Sequence, residues 1–252
     1  MKRENLTVVK VGTGVLTKED GKLDQPTLLK LITALAGLMD QGEKIVLVSS
    51  GAVGAGTRAL GLKEYPTDRA TKQACAAVGQ ARLIRIYEGL FTYFSRSVAQ
   101  ILLTAYDLDT EKRRAKVLST FENLLAHDQI IPIVNENDSV ATSELTMGDN
   151  DVLSARVANL TGAKRLILLT SVDGLLHPET KELIPEVEDI SSVLSYAGDS
   201  KNKFSIGGMA SKLKAVQFAI DNGIETIIAH GERPERLSEI VQGQGICTRF
   251  RV

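Results

Sequence analysis

Lys44-Ile45-Val46-Leu47-Val48-Ser49-Ser50-Gly51-Ala52-Val53-Gly54-Ala55-Gly56 joins an unbroken apolar run to an exit rich in hydroxyls and glycine. A strand without polar alternation is covered on both faces, as in a parallel sheet flanked by helices. The exit offers backbone N–H groups at a helix start, where a carboxylate or phosphate is stabilised. Outward from this stretch the pattern repeats. Leu6–Val11, Val98–Thr104, Ile130–Val134, Arg165–Val172 and Glu225–Ala229 read as strands. Between them, helices are expected at Asp68–Phe94, Thr110–Ala126, Asn150–Leu160 and Met209–Asn222. A further helix begins at a capping Asp24, keeps the 3.6 period through Leu28, Leu31, Ile32, Leu35, Leu38 and Met39, and stops at Gly42. Leu183–Val187 reads as a hairpin strand and Gly245–Val252 as a final edge strand. The expected class is α/β: one domain over residues 1–252, a three-layer αβα sandwich around a mostly parallel sheet. Its halves meet near Gly162–Lys164 but share that sheet.

Composition removes several classes of function. The chain has 252 residues, 30 basic and 31 acidic, for a formal charge of −1. No bulk field draws it to nucleic acid or to an anionic membrane. Its apolar runs are strand-length, short of the roughly 20 residues of a membrane helix. The N-terminus enters a strand almost at once, which leaves no room for a secretory leader. Cys75 and Cys247 lack ligand spacing and read as packing residues, with a reducing cytoplasm as the expected setting. His127, His177 and His230 are scattered, and no H-E-x-x-H or G-x-S-x-G occurs. Neither a G-x-x-x-x-G-K-[ST] loop nor the H-R-D and D-F-G pair of protein kinases is present.

Polar and glycine-rich segments sit where strands end, the edge at which such sheets bind ligands. Lys10-Val11-Gly12-Thr13-Gly14 closes the first strand, with glycines for close backbone approach and a lysine as point charge. A tight turn beside a solvated lysine is the plain alternative. Gly54-Ala55-Gly56-Thr57-Arg58-Ala59 fits the loose G-x-G-x-x-A dinucleotide pattern, but it lies in the wrong βα turn and lacks the acidic residue about 20 positions on. Asn135-Glu136-Asn137-Asp138 and Gly148-Asp149-Asn150-Asp151 are dense polar clusters after one buried strand. They read either as a solvated loop with caps or as groups that hold an amino group and orient lysines. Ser205-Ile206-Gly207-Gly208-Met209-Ala210-Ser211-Lys212 leads into a helix. A lysine in the first turn opposes the helix dipole, which points to a bound anion; a solvated lysine is the plain alternative.

Taken together, these segments resemble the amino-acid kinase family over essentially the whole chain, and within it the branch that acts on glutamate. The resemblance is carried by Val8–Thr13, Val48–Val53, Gln73–Gln80, Leu102–Thr104, Pro132–Asp138, Gly148–Asp151 and Gly207–Lys212. It implies ATP as phosphoryl donor, with Mg²⁺ carried by the nucleotide, and L-glutamate as acceptor. By position it implies that Lys10 and Lys212 contact ATP phosphates and that Asp151 holds them. Ser50, Asp138 and Asn150 then bind the amino acid, Asp138 as partner of its ammonium group. Thr170, Ser171, Ile206, Gly207, Gly208, Met209, Ala210, Ser211 and Lys212 bind nucleotide, so that residues 1–162 form the amino-acid side and residues 163–252 the nucleotide side. Feedback inhibition by proline and assembly as a dimer or tetramer are further expectations. The chain departs from relatives at Ser205-Ile206, where Gly-Thr is common, and at Ser171, where aspartate is frequent. It reads as a short form without the C-terminal PUA domain that many relatives carry.

The chemistry suits the residues. A carboxylate with an ordinary pKa of about 4.3 is ionised at neutral pH and needs no general base. Positioning and charge stabilisation are what remains to be supplied. A related kinase for another carboxylate or carbamate, a non-catalytic sensor of amino acid or nucleotide, and a dehydrogenase are the competing readings.

Overall fold

The computed structural model describes residues 3–18, 23–140, 150–197 and 208–252. Among these, the strands are β1 (Arg3–Val11), β2 (Lys44–Val48), β3 (Ser97–Leu103), β4 (Ile130–Glu136), β5 (Ala163–Thr170), β6 (Glu186–Val187), β7 (Glu225–His230) and β8 (Thr248–Phe250). The α-helices are α1 (Thr13–Leu16), α2 (Gln25–Asp40), α3 (Ala52–Ala59), α4 (Arg69–Thr92), α5 (Glu111–Leu125), α6 (Asn150–Thr161), α7 (Met209–Asp221) and α8 (Leu237–Val241). The strands form one sheet in the order β3-β4-β2-β1-β5-β7-β8-β6. Every pairing is parallel except β7 with β8.

The sheet is mostly parallel because its strands are apolar on both faces. Side chains alternate along β1, so Leu6 and Val8 enter one core with Leu153, Val157, Phe121 and Val216 from α5, α6 and α7. Val9 and Val11 enter a second core with Leu28, Leu31, Leu35, Leu83, Tyr87 and Leu237 from α2, α4 and α8. Lys10 has the parity of Leu6 and Val8, which aims it toward α6. β1 lies between β2 and β5, with Lys10 in register with Val48 on one side and Leu168 on the other. The β1–β5 pairing carries the sheet across the junction near Gly162.

The C-terminal strand departs from expectation. β8 does not close the sheet as its edge; the two-residue β6 does. Arg249 N donates to Pro185 O at 2.9 Å and Arg251 N to Val187 O at 3.1 Å. Arg249 is itself buried, paired with Glu225 at 3.5 Å, and Glu225 also pairs with Arg165 at 3.0 Å. Two buried arginines on one half-buried carboxylate call for an interior position, and β6 supplies the cover. Asp24 precedes α2 as expected, but its carboxylate accepts from Thr27 Oγ1 at 2.9 Å instead of capping the helix; Pro26 pre-sets the first turn. Asp68 does cap α4, accepting from Thr71 N at 2.9 Å. Cys75 and Cys247 are both buried and free.

Candidate active site at the carboxyl edge of the sheet

The central strands end on one edge, and the chemistry-bearing residues gather there. Asp151 lies in the first turn of α6 and is fully buried. Its Oδ1 is 2.6 Å from Lys10 Nζ, at the end of β1, and its Oδ2 is 3.1 Å from Lys212 Nζ, in the first turn of α7. The lysine side chains are only 4% and 9% exposed. Buried charges persist only when paired and hydrogen-bonded, so the shared carboxylate is what keeps two ammonium groups side by side at this depth. Gly12 follows on β1; a Cβ there would lie 3.4 Å from Lys10 Nζ.

Thr170 ends β5 one step past the residue paired with Val11, and its carbonyl accepts from Gly231 N at 2.7 Å. Ser171 follows, exposed to solvent. Gly208 precedes α7 in an extended conformation, and Ser211 N and Lys212 N donate to its carbonyl at 3.0 and 3.3 Å. Met209 and Ala210 make the first turn of that helix. Ile206 and Gly207 lie outside the described residues, as do Gly148 and Asp149.

On the other side of Asp151 stands a network of amides. Asn150 Nδ2 lies 3.0 Å from Ser49 O, 2.9 Å from Ser50 Oγ and 3.0 Å from Asn135 Oδ1. Asn135 Nδ2 donates to Gln80 Oε1 on α4 at 2.9 Å. Ser49 Oγ is 2.9 Å from the hydroxyl of Tyr87, whose pKa is pushed up by complete burial. Gly51 caps α3 with φ +98°, a left-handed conformation that glycine adopts without strain. Asn150 and Asp151 are neighbours in sequence, so one helix start joins the amide network to the lysine pair.

Asp138 stands apart from this contact network, on the loop after β4. It lines a cavity of about 390 Å³ with Glu136, Gln80, Gln100 and Ala52. Burial, with the Glu136 carboxylate nearby, raises its pKa to about 6. Tyr65 is raised by burial and by the Asp138 charge. A carboxyl held this high is one whose ionised form lacks sufficient solvation, and an ammonium group would relieve it.

The structure therefore brings Lys10, Lys212 and Asp151 into contact, and likewise Ser50 and Asn150. Asp138 is not brought into contact with that pair; it shares its cavity with Gln80, which reaches Asn150 through Asn135. Sequence reasoning passes over Gln80 as a site residue. Its one signal is a polar side chain directly after Gly79 in the alanine-rich stretch Ala74–Gln80, where a helix face this small packs closely.

Comparison with known proteins agrees with this picture. The pattern of the Amino acid kinase family matches residues 5–230. A glutamate 5-kinase from Rippkaea orientalis is 46% identical over 96% of this chain and 68% of its own length. One from Clostridium acetobutylicum is 44% identical over 98% of this chain and 94% of its own. Among solved structures, carbamate kinase from Giardia lamblia bound to AMP-PNP superposes with a TM-score of 0.67 at 16% identity, covering 100% of this chain and 99% of that one. UMP kinase from Ureaplasma parvum gives 0.66 at 12% identity, covering 99% and 100%. Shared fold, near-complete coverage and identity above two in five lead to one assignment: the chain belongs to the amino acid kinase family, among its glutamate 5-kinases.

Proposed function

We propose that this chain transfers the γ-phosphoryl group of ATP to the side-chain carboxylate of L-glutamate, giving L-glutamyl 5-phosphate and ADP, the first step of proline synthesis. The observation that carries the reading is the pair of buried lysines held on the two oxygens of one carboxylate, next in sequence to the amide network of Asn150. Glutamate and ATP are both anionic, and their reacting groups repel. Lys10 and Lys212 come from distant parts of the sequence to one point. An ammonium group has three N–H donors, so each lysine can serve Asp151 and a phosphoryl oxygen together. Charge placed in advance where it develops in the transition state is the main way such a site lowers the barrier. Asp151 acts as the spacer that holds both lysines.

Ser50, Asn150 and Asp138 are the amino-acid side of the site, and Thr170, Ser171 and the segment from Ile206 to Lys212 the nucleotide side. Mg²⁺ fits as a companion of the nucleotide, because Asp151, the carboxylate between the lysines, is already engaged by both. When bound, it supplies charge neutralisation on the phosphates. On this reading proline is a feedback inhibitor, the chain works as a dimer or tetramer, and its setting is the cytoplasm. No helix among the described residues is long and apolar enough to cross a membrane.

The test is ADP release by the purified chain with ATP and Mg²⁺, offered in turn L-glutamate, L-aspartate, N-acetyl-L-glutamate, carbamate and UMP. Release that depends on glutamate and exceeds the others by about 10⁴-fold is expected, the scale of discrimination when a site's buried polar groups lose their partners. Equal rates with another acceptor would contradict the reading.

A further inference from the structure

The amide network has a fixed sense of direction. The backbone N–H of Glu136 donates to Asn135 Oδ1 at 2.9 Å, and a backbone N–H has no other polarity. That settles which end of the Asn135 amide is oxygen and turns its Nδ2 toward Gln80 Oε1, 2.9 Å away. At the far end, the carbonyl of Ser49 is an obligatory acceptor, so Asn150 faces it with Nδ2. The two hydrogens of that Nδ2 are shared among Ser49 O, Ser50 Oγ and Asn135 Oδ1. Ser50 Oγ thus accepts from Asn150, and its own hydrogen points elsewhere; among the described residues it has no acceptor. Asn150 Oδ1 is buried and has no partner among them either. A donor hydroxyl and an acceptor oxygen side by side match the carboxylate and ammonium ends of an amino acid.

Resting on the glutamate reading above, we propose that Gln80 is a positioning residue for the amino-acid acceptor. Its oxygen is the acceptor that completes the Asn135 amide, whose polarity the Glu136 N–H sets, and so holds Asn135 against Asn150 in the pose in which Ser50 presents a donor and Asn150 an acceptor to the substrate. The residue is placed for this task from α4, a helix that supplies none of the groups expected to touch substrate. Gln80 is buried, and its Nε2 faces Gln100 Oε1 at a long 3.5 Å. The strong contact is therefore the one toward Asn135. Without the Gln80 oxygen, Asn135 Nδ2 loses its acceptor in a buried place. Reversing Asn135 to recover one would set two amide nitrogens against each other at Asn150.

The experiment compares Gln80→Met, which removes the oxygen at similar volume, with Gln80→Glu, which keeps one. Kinetics are measured for glutamate and ATP separately, with thermal midpoints for every variant. Gln80→Met is expected to raise KM for glutamate about tenfold, the scale of one buried hydrogen bond, with KM for ATP within about twofold. Gln80→Glu is expected to recover most of that loss. In a Ser50→Ala background Gln80→Met should add little, because its effect passes through the serine. Equal changes in both KM values, identical Met and Glu variants, or losses that multiply with Ser50→Ala would each overturn the proposal while leaving glutamate as substrate. If the unaltered chain shows no turnover with glutamate, the substrate reading falls and takes this proposal with it.

Discussion

Asp138 is a carboxyl kept in a place that does not suit its charge. Its pKa of about 6 lies above the ordinary aspartate value of about 3.9. A raised carboxylate costs stability when ionised: the cost is absent below about pH 4, grows between pH 4 and 6, and is complete above pH 6. Its size at neutral pH is on the order of 1–3 kcal/mol. Asp138→Asn removes that cost. The variant is expected to melt several degrees higher than the parent at pH 7.5 and at the same temperature at pH 4. It should also lose affinity for the ammonium group, with KM for glutamate up at least about tenfold and KM for ATP unchanged. In the parent, KM for glutamate should climb by nearly tenfold per pH unit below 6, as Asp138 takes up its proton, while the variant stays flat. A variant that is less stable at pH 7.5, or a parent with no such climb, would remove Asp138 from the amino-acid pocket. Little of this can be read from sequence. Asn-Glu-Asn-Asp announces a polar strand exit, but the cavity that Asp138 lines is walled by Ala52, Gln80 and Gln100, which come from other elements.

Helices α3 and α4 set the floor of the pocket by backbone contact. A Cβ on Gly79 would lie 1.7 Å from Ala52 O, and one on Gly56 would lie 1.8 Å from Cys75 O. Neither clash is with a flexible side-chain tip, so a helix must move. Ala52 is the first residue of α3, directly after Ser50 and Gly51, so movement there displaces the serine proposed to meet the substrate. Gly79→Ala is expected to cost about 1–3 kcal/mol, as overpacking does, or several degrees in Tm for a chain of this size. It should raise KM for glutamate more than KM for ATP. An unchanged Tm would mean that the helices tolerate the methyl group and that their close approach has no part in the site. The sequence marks α4 as one long helix from about Asp68 onward. It does not mark which face is buried, because alanine and glycine are spread around the helix and leave the periodicity faint. α3 is hidden for the same reason: glycines at 54 and 56 read as loop, yet Gly56 is the residue small enough for the helix to press against Cys75.

At the scale of the whole molecule, the sheet makes neighbours of residues from far-apart segments. β1 lies at the centre, paired with β2 on one side and with β5 on the other. This much is legible in the unbroken apolar runs, which demand cover on both faces and place every polar exit on one edge. The meeting of Lys10 and Lys212 is less so. Each lysine stands beside glycines at a strand exit or helix start, but their common partner, Asp151, is one acidic residue in a cluster of several. Only the fold selects it. The strand order at the C-terminus is hidden too, since Arg249 reads as a surface residue until Glu225 and Arg165 are seen beside it.

The central claim is that a phosphoryl group is handed to a glutamate carboxylate between two lysines anchored on Asp151. Acyl phosphate trapped with hydroxylamine, followed against ADP release in the parent and in Lys212→Ala, tests it most directly. The parent should form γ-glutamyl hydroxamate in step with ADP, and the folded variant should do so with kcat lower by about 10²–10³, the scale of losing one electrostatic stabiliser. ADP released without hydroxamate, or hydroxamate formed by Lys212→Ala at the parent's rate, would contradict it.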